Sequence, residues 1–244
     1  MPDALLAYFS TGSGNALRSR TVSATVLTGR LELPRPPARL DTDWQREILR
    51  LGLETGDVEP LSLARSRARW PDYRLCVQAM SQWMNSQGLA GLLEESELAL
   101  MACRGARYHH DAMHYGSAAF CNLFLSENRG QDLHFPATGQ RIPLERGRVV
   151  IFDTAQPHAV IARHKPGFDP DDFAAESDCS QVFLSWELPI EQPPLASALG
   201  ITLDVDPVRA GRLDREQVWR NGAPASLCPD SGQWLGSAAQ KSSE

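Results

Sequence analysis

Apolar residues recur at helical spacing in the N-terminal part of the chain. Segment 73–86 carries them at a near-helical period and is followed by Gly88, which predicts a helix that ends there. Asp43 is placed to cap a second helix over 44–49, because a capping side chain satisfies the first free N–H groups. The β-branched segment 21–34 predicts a strand that runs into a proline-rich turn.

From about residue 97 the apolar runs become short, and turn residues separate them. These runs lie at 97–103, 118–125, 131–135, 148–153, 158–162 and 181–188. Several short strands at such spacing are typical of an antiparallel sandwich or barrel. We therefore predict a mainly β fold with N-terminal helices, in which a double-stranded β-helix (jelly roll) forms the core.

The pattern divides the chain into three regions within one compact domain. Residues 1–96 form a mixed, largely helical region that braces the core. Residues 97–188 form the jelly-roll core, and residues 189–244 form a proline-containing, loop-rich extension.

Composition and charge exclude several classes of protein. Hydrophobic residues make up 42% of the 244 residues and charged residues 22%, which excludes extended disorder, a coiled coil and a collagen-like repeat. The net charge of −6 argues against a nucleic-acid binder. No apolar stretch is long enough for a membrane span, and the N-terminus does not have the pattern of a signal peptide. The five cysteines are odd in number and lack CxxC spacing, which favours reduced thiols and a cytoplasmic location.

All six histidines lie between residues 109 and 164, which points to a metal site. His109 and Asp111 would share one face if the chain is a strand there, because side chains alternate along a strand. His158 follows an apolar strand and a turn, and is the expected third ligand. Two imidazoles and one carboxylate on a single face are the donor set of non-haem Fe(II) oxygenases.

The order of motifs around these three residues resembles the Fe(II)/2-oxoglutarate-dependent dioxygenases, in particular their prolyl-4-hydroxylase-like branch. The resemblance covers about 97–188. Its motifs are the turn 104–108, His109-His110-Asp111, the strand 118–125, the Gly-containing segment 130–136, the turn 143–147, the strand 149–152 and His158.

This resemblance implies an activity and a set of site residues. His109, Asp111 and His158 would hold Fe(II) as catalytic residues, with 2-oxoglutarate as cosubstrate. The expected reaction is oxidation by dioxygen, most simply hydroxylation of a small molecule or an amino-acid-like substrate, with release of succinate. No nucleic-acid or membrane partner is expected, and the sequence does not specify the oligomeric state.

The sequence departs from the family at the residue that holds the distal carboxylate of 2-oxoglutarate. The family places an Arg or Lys on its last core strand, but 180–186 contains neither. We assign this role to Arg163 over Lys165, because a guanidinium grips a carboxylate at two points and a bulge after Val160 would turn Arg163 inward. Three further candidates lie on other core segments: Arg129, Arg141 and Arg148.

The same departure leaves two alternatives open. One is a cupin-like metal-dependent dioxygenase or isomerase that does not use 2-oxoglutarate. The other is a non-catalytic, ligand-binding jelly roll with an incidental histidine cluster.

Overall fold

The computed structural model of the chain describes residues 5–10, 16–174 and 179–235. The helices are α1 (Ala38–Leu51), α2 (Leu63–Arg69), α3 (Tyr73–Ser86), α4 (Ala112–Tyr115), α5 (Pro193–Leu199) and α6 (Pro207–Ala210), with a 3₁₀ turn over Pro170–Phe173. The N-terminal and core strands are β1 (Leu5–Phe9), β2 (Arg18–Thr21), β3 (Val26–Arg30), β4 (Val58–Leu61), β5 (Leu98–Cys103), β6 (Ala106–His109), β7 (Ala118–Phe124), β8 (Gln131–Phe135), β9 (Gln140–Pro143), β10 (Arg148–Asp153), β11 (His158–Ala162) and β12 (Gln181–Pro189). The C-terminal strands are β13 (Gln217–Arg220), β14 (Ala223–Pro224), β15 (Ser226–Leu227) and β16 (Trp234–Leu235).

Two antiparallel sheets make up the centre of the molecule. The larger sheet has the order β3-β10-β7-β12-β5-β4, and the smaller has the order β6-β11-β8-β9. From β5 to β12 the chain passes back and forth between them. A further sheet, β14-β13-β1-β2, joins strands from both ends of the chain. The prediction of a mainly β fold with N-terminal helices is confirmed.

Each face of the larger sheet packs against a different layer. One face buries alternate side chains, such as Leu184 and Ile151, against apolar residues of α1 and α3. The other face packs against the smaller sheet, where Phe152 contacts Phe135 and Phe183 belongs to the same buried cluster. This follows from the period of two along a strand, since both faces of these strands are apolar. The candidate site lies between the two sheets.

The helix predicted over 73–86 is present with those bounds, and Gly88 follows it with a φ of 76°. The start of the helix predicted from Asp43 is wrong. The first helix begins at Ala38, directly after Pro37, and Asp43 lies within it, where it pairs with Arg69. N–H groups at the start of a helix have no partner within the helix, so a proline, which lacks an N–H, is tolerated there. The helix can therefore begin at the proline-rich segment, before Asp43.

The strand predicted over 21–34 is divided in the structure. Thr21 ends β2, which belongs to the sheet built on β1, whereas Val26–Arg30 pairs with β10 in the larger sheet. Ser23 lies between them, and its N–H donates to the carboxylate of Asp153 at 2.7 Å. The N–H of Ser23 is therefore bonded to the buried carboxylate. In a continuous strand the same N–H would have bonded to a carbonyl of the neighbouring strand.

Within the described parts of the chain, no helix has the length and apolar character required to cross a lipid bilayer.

Candidate metal centre

The smaller sheet brings His109, Asp111 and His158 together. His109 is the last residue of β6 and His158 is the first residue of β11, and the two are direct partners in the antiparallel pairing. One ligand atom from each of the three side chains lies within 4.8 Å of the other two. Asp111 lies between the imidazoles, with carboxylate oxygens 3.6 Å from His109 Nε2 and 3.5 Å from His158 Nε2.

Asp111 reaches the cluster by a different route from the one the sequence suggested. The strand ends at His109, so alternation along a strand does not orient Asp111. Asp111 instead precedes α4 with a φ of −102°, and its N–H donates to the carbonyl of Thr154 at 2.8 Å. The position of the Asp111 carboxylate is therefore set by a turn that is hydrogen-bonded to the segment before His158.

Backbone carbonyls fix which nitrogen of each imidazole faces the cluster. His109 Nδ1 lies 2.7 Å from the carbonyl of Arg107, and His158 Nδ1 lies 2.9 Å from the carbonyl of Gln156. A carbonyl only accepts, so each Nδ1 carries the proton and donates it. In the neutral rings, both Nε2 lone pairs then face the Asp111 carboxylate, which is the orientation in which metal-binding histidines are held.

The electrostatics of the cluster favour a cation. Burial lowers the pKa of His158 well below its ordinary value of 6.5, and the neighbouring His109 lowers it further. His158 is therefore neutral near pH 7 and presents a lone pair. Burial raises the pKa of Asp111, while His109 acts in the opposite direction. Two lone pairs and a carboxylate repel one another unless a positive ion lies between them, so the donor set fits a divalent metal such as Fe(II).

A buried ion pair supports the loop between β10 and β11. Arg20 donates to both oxygens of Asp153, at 2.7 and 2.8 Å, and both side chains are fully buried. The Nε of Arg20 also donates to the carbonyl of Gly116, just after α4. Thr154 adds hydrogen bonds to the carbonyls of Tyr115 and Ala118. The segments that carry Asp111 and His158 are thus tied together behind the cluster.

The sequence did not single out Arg20, Asp153 or Thr154. Asp153 ends a strand that is otherwise apolar, and a charge in that place is a usable signal for a buried partner. Arg20 has no such signal, because its environment depends on a contact with a residue more than a hundred positions away.

A cavity of about 520 Å³ opens beside the cluster between the two sheets. All three candidate ligands line it, and most of the remaining wall is apolar, with Phe120, Phe152 and Phe183 among its side chains. Its other polar side chains are Glu97, Tyr115, Asn122, Ser185 and Glu187. Among the residues that the structure describes, none of those lining the cavity is Lys or Arg.

Arg163 does not lie with the three candidate ligands. Its Nε donates to Asp132 at 2.8 Å and its Nη2 to the carbonyl of Gln131 at 3.2 Å, so the guanidinium runs along β8. The register of β11 with β6 shifts between His158 and Val160, which is an irregularity earlier than the one expected after Val160. Arg163 is absent from the cavity wall described above.

Three of the other basic candidates are engaged with partners outside the cavity. Arg148 pairs with Glu145, and Lys165 pairs with Asp172. Arg141 donates to the carbonyl of Lys165. His134 Nδ1 and the hydroxyl of Tyr108 are hydrogen-bonded at 2.6 Å. His134 is not one of the three grouped candidate ligands.

Comparisons with known proteins found similarity only among solved structures. No model of a protein family matches the chain, and no curated protein matches it. A prolyl-4-hydroxylase from Pseudomonas putida is 17% identical, with a TM-score of 0.42, over 67% of this chain and 91% of that one. A viral collagen prolyl hydroxylase from Paramecium bursaria Chlorella virus-1 is 8% identical, with a TM-score of 0.41, over 67% and 89%.

A third similar structure is SnoN, a non-haem α-ketoglutarate-dependent epimerase of nogalamycin biosynthesis. It is 14% identical, with a TM-score of 0.34, over 67% of this chain and 78% of that one. The three similar structures are thus two prolyl hydroxylases and one α-ketoglutarate-dependent epimerase. Identities of 8–17% and TM-scores of 0.34–0.42 transfer no activity, and the function of the chain has to follow from its own site.

Proposed function

We propose that this chain is a non-haem Fe(II) oxygenase that uses 2-oxoglutarate and dioxygen to hydroxylate a small molecule or an amino-acid-like substrate. The observation that carries the proposal is the convergence of His109, Asp111 and His158 at one wall of an apolar cavity. Two imidazoles and one carboxylate leave positions of an octahedral ion open, which is the arrangement that non-haem Fe(II) oxygenases use.

The strand order supports a jelly-roll core for this proposal. The strands β10-β7-β12-β5 of the larger sheet face β6-β11-β8-β9 of the smaller one, and consecutive strands from β5 to β12 change sheet except at the β8–β9 hairpin. Two interlocked Greek keys of eight strands give this order. In such a core the metal cluster, which lies where β6 ends and β11 begins, is beside the cavity.

The residues of the chain bind, orient and exclude water at this site. His109, Asp111 and His158 would hold the metal, which supplies activation of dioxygen when bound. The carbonyls of Arg107 and Gln156 keep the imidazole protons on the side away from the metal. Phe152 packs on the ring of His158 at 4.7 Å between centroids, and the apolar wall limits access of water to the reacting groups.

The fit of 2-oxoglutarate is incomplete at its distal carboxylate. A buried carboxylate is costly without a cation or several donors. The described residues of the cavity wall include no Lys or Arg, so any contacts from this wall to that carboxylate must come from neutral groups such as Tyr115 or Ser185. Arg163 remains the sequence-based candidate and would have to leave Asp132 to reach the cavity.

This observation favours one alternative function. A metal-dependent oxygenase or isomerase of cupin type, which needs no 2-oxoglutarate, would also use a His/Asp/His site in a cavity without a cation. The two functions share the metal ligands and differ only in the cosubstrate.

Measurement of succinate separates these functions. Protein loaded with Fe(II) under argon should form succinate when it is given 2-oxoglutarate and air, even without its own substrate, at a low uncoupled rate. The His158→Ala variant should form none, while His114→Ala, which changes an exposed histidine outside the cluster, should match wild type. If iron binds at the cluster but no succinate forms, the cupin-type function replaces the first. If no iron binds, both enzymatic functions are wrong.

A further inference from the structure

The cavity wall formed by β7 and β12 carries a row of hydrogen-bond acceptors. Asn122 is paired in register with Ser185, and Phe120 with Glu187, so the side chains of Asn122, Ser185 and Glu187 follow one another along the cavity. Glu97 precedes β5 and lines the same cavity, and its carbonyl accepts from the N–H of Glu187 at 3.4 Å. The two glutamates therefore lie side by side toward the solvent-exposed end.

Asn122 presents an acceptor that has no donor. The residue is only 8% exposed, and within the described residues its Oδ1 has no hydrogen-bond partner. A buried carbonyl oxygen without a donor is destabilising, because it has lost its hydrogen bond to water and gained none in the protein. Such groups in native proteins call for an explanation, and a ligand N–H that enters the cavity supplies one.

The glutamates add negative charge that the wall does not neutralise. Burial raises the pKa of Glu187, and the nearby Glu97 raises it further, as expected for neighbouring carboxylates. Together with Asp111 they give three carboxylates on the wall, and no Lys or Arg among the described lining residues opposes them. A divalent metal carries two positive charges, so it would leave one of the three negative charges of these carboxylates without compensation.

The glutamate pair and the metal cluster belong to one space. Tyr115 also lines the cavity, and its pKa is raised first by burial and then by the charges of Glu187 and Asp111. Apolar side chains lie beside the glutamates on this wall: Leu98 follows Glu97 in the chain, and Phe120 is paired with Glu187. The surroundings of the acceptors therefore suit an apolar skeleton with a cationic group at one end.

From these contacts we infer that the cavity selects a small organic cation, an amine or guanidinium on an apolar skeleton, held by Glu97 and Glu187 with an N–H donated to Asn122. This inference rests on the proposed function, because it treats the cavity as the place where the substrate meets the metal. It narrows the substrate class from small molecules in general to basic ones.

A matched set of probes tests the charge requirement. We would measure by calorimetry the binding of phenethylguanidinium, of its neutral counterpart phenethylurea, and of the anion 4-phenylbutanoate. A guanidinium stays protonated and does not ligate a metal, so its binding reports the acceptors and not the iron. The titrations use protein loaded with Fe(II) under argon and, in parallel, the metal-free protein.

The guanidinium should bind at least about tenfold more tightly than the urea, since hydrogen bonds to charged groups contribute more than neutral ones. Glu187→Gln should remove most of this preference and leave binding of the urea unchanged. Asn122→Leu should weaken both probes, because both donate an N–H. Glu94→Gln, which changes an exposed glutamate outside the cavity wall, should leave both affinities unchanged.

Several results would overturn the inference. These are equal affinities for guanidinium and urea, tighter binding of 4-phenylbutanoate, no measurable binding of the guanidinium, or a preference that survives in the Glu97→Gln, Glu187→Gln double variant. Failure of the proposed function looks different. In that case the protein takes up no iron and forms no succinate, yet it still prefers the guanidinium in a manner that depends on Glu187. Succinate formation without a preference for the cation overturns only the present inference.

Discussion

The candidate metal site depends on a few backbone contacts that choose which imidazole nitrogen is exposed. In both His109 and His158 the Nδ1 proton is donated to the carbonyl two residues earlier in the chain. This i to i−2 contact fixes the ring and leaves Nε2 for a metal. The two histidines thus use the same local device at the end of one strand and at the start of its partner.

Substitution of His158 should remove the metal while the fold remains. His158→Ala deletes one of three ligands, and we expect stoichiometric Fe(II) binding to be lost, since three protein ligands are needed to hold the ion. Iron content after anaerobic loading and gel filtration measures this. His114→Ala is the control and should retain the iron of wild type. Retention of stoichiometric iron by His158→Ala would contradict the ligand assignment.

Arg163 provides a second test at the scale of one residue. Its guanidinium is engaged with Asp132 and Gln131 away from the cavity. We therefore expect Arg163→Ala to leave the KM for 2-oxoglutarate within about twofold of wild type, since a residue that does not touch the ligand contributes no binding energy to it. Initial rates of succinate formation give the KM. A rise of many fold would instead support the cosubstrate role that the sequence assigns to Arg163.

At the level of secondary-structure elements, an ion pair between β2 and the end of β10 supports the site. Arg20 on β2 reaches Asp153 at the last position of β10, and the loop after β10 leads to His158. Arg18 lies on the same strand but pairs with Asp204 and Glu191 near the surface. The two arginines, two residues apart on one strand, therefore form a matched comparison of a buried and an exposed ion pair.

Loss of the buried pair should be much more destabilising than loss of the exposed one. Arg20→Ala leaves the carboxylate of Asp153 buried without a counterion, which is expected to lower the free energy of unfolding by about 3–5 kcal/mol. Arg18→Ala should lower it by less than about 1 kcal/mol, because exposed ion pairs are weak. Urea unfolding followed by circular dichroism measures both. Equal effects of the two substitutions would contradict a structural role for the Arg20–Asp153 pair.

At the scale of the whole molecule, buried neutral histidines make the stability of the metal-free protein depend on pH. Burial lowers the pKa values of His158, His110 and His134 below 6.5. As pH falls below 6.5, the unfolded chain takes up protons at these positions before the folded chain does. The unfolded state then binds more protons, so stability falls with falling pH. The raised pKa of Asp111 has the opposite effect on stability, because the folded state then binds the extra proton. This effect occurs at lower pH, nearer the ordinary carboxyl pKa of 3.8.

We therefore expect the free energy of unfolding, measured in chelator, to be lower near pH 5.5 than near pH 7.5. Adding a divalent metal should raise the unfolding midpoint, because a ligand that binds only the folded state stabilises it. The increase should be larger near pH 7.5, where protons do not compete for the imidazoles. A metal-free protein with equal stability at both pH values would contradict the assignment of buried neutral histidines.

The features that could be predicted from the amino-acid sequence are those that depend on neighbouring residues. The 3.6-residue period over 73–86 specifies a helix because each side chain there repeats one local geometry. Likewise, the short apolar runs after residue 97 specify strands, and the position of His158 just after an apolar strand and turn is local. The clustering of histidines and the His-x-Asp triplet were enough to name the three candidate ligands.

Features that depend on residues far apart in the chain could not be predicted and became visible only in the folded protein. The Asp153 carboxylate could be recognised as paired only once the side chain of Arg20 was placed at the end of β10, and the orientation of Asp111 only once its N–H met Thr154. The same holds for Arg163, which the sequence placed at the cosubstrate and the structure places on Asp132. A charged side chain takes the nearest available partner in space, and no periodicity in the sequence encodes that distance. The acceptor row of Asn122, Ser185 and Glu187 likewise exists only because β7 and β12 are neighbours in the sheet.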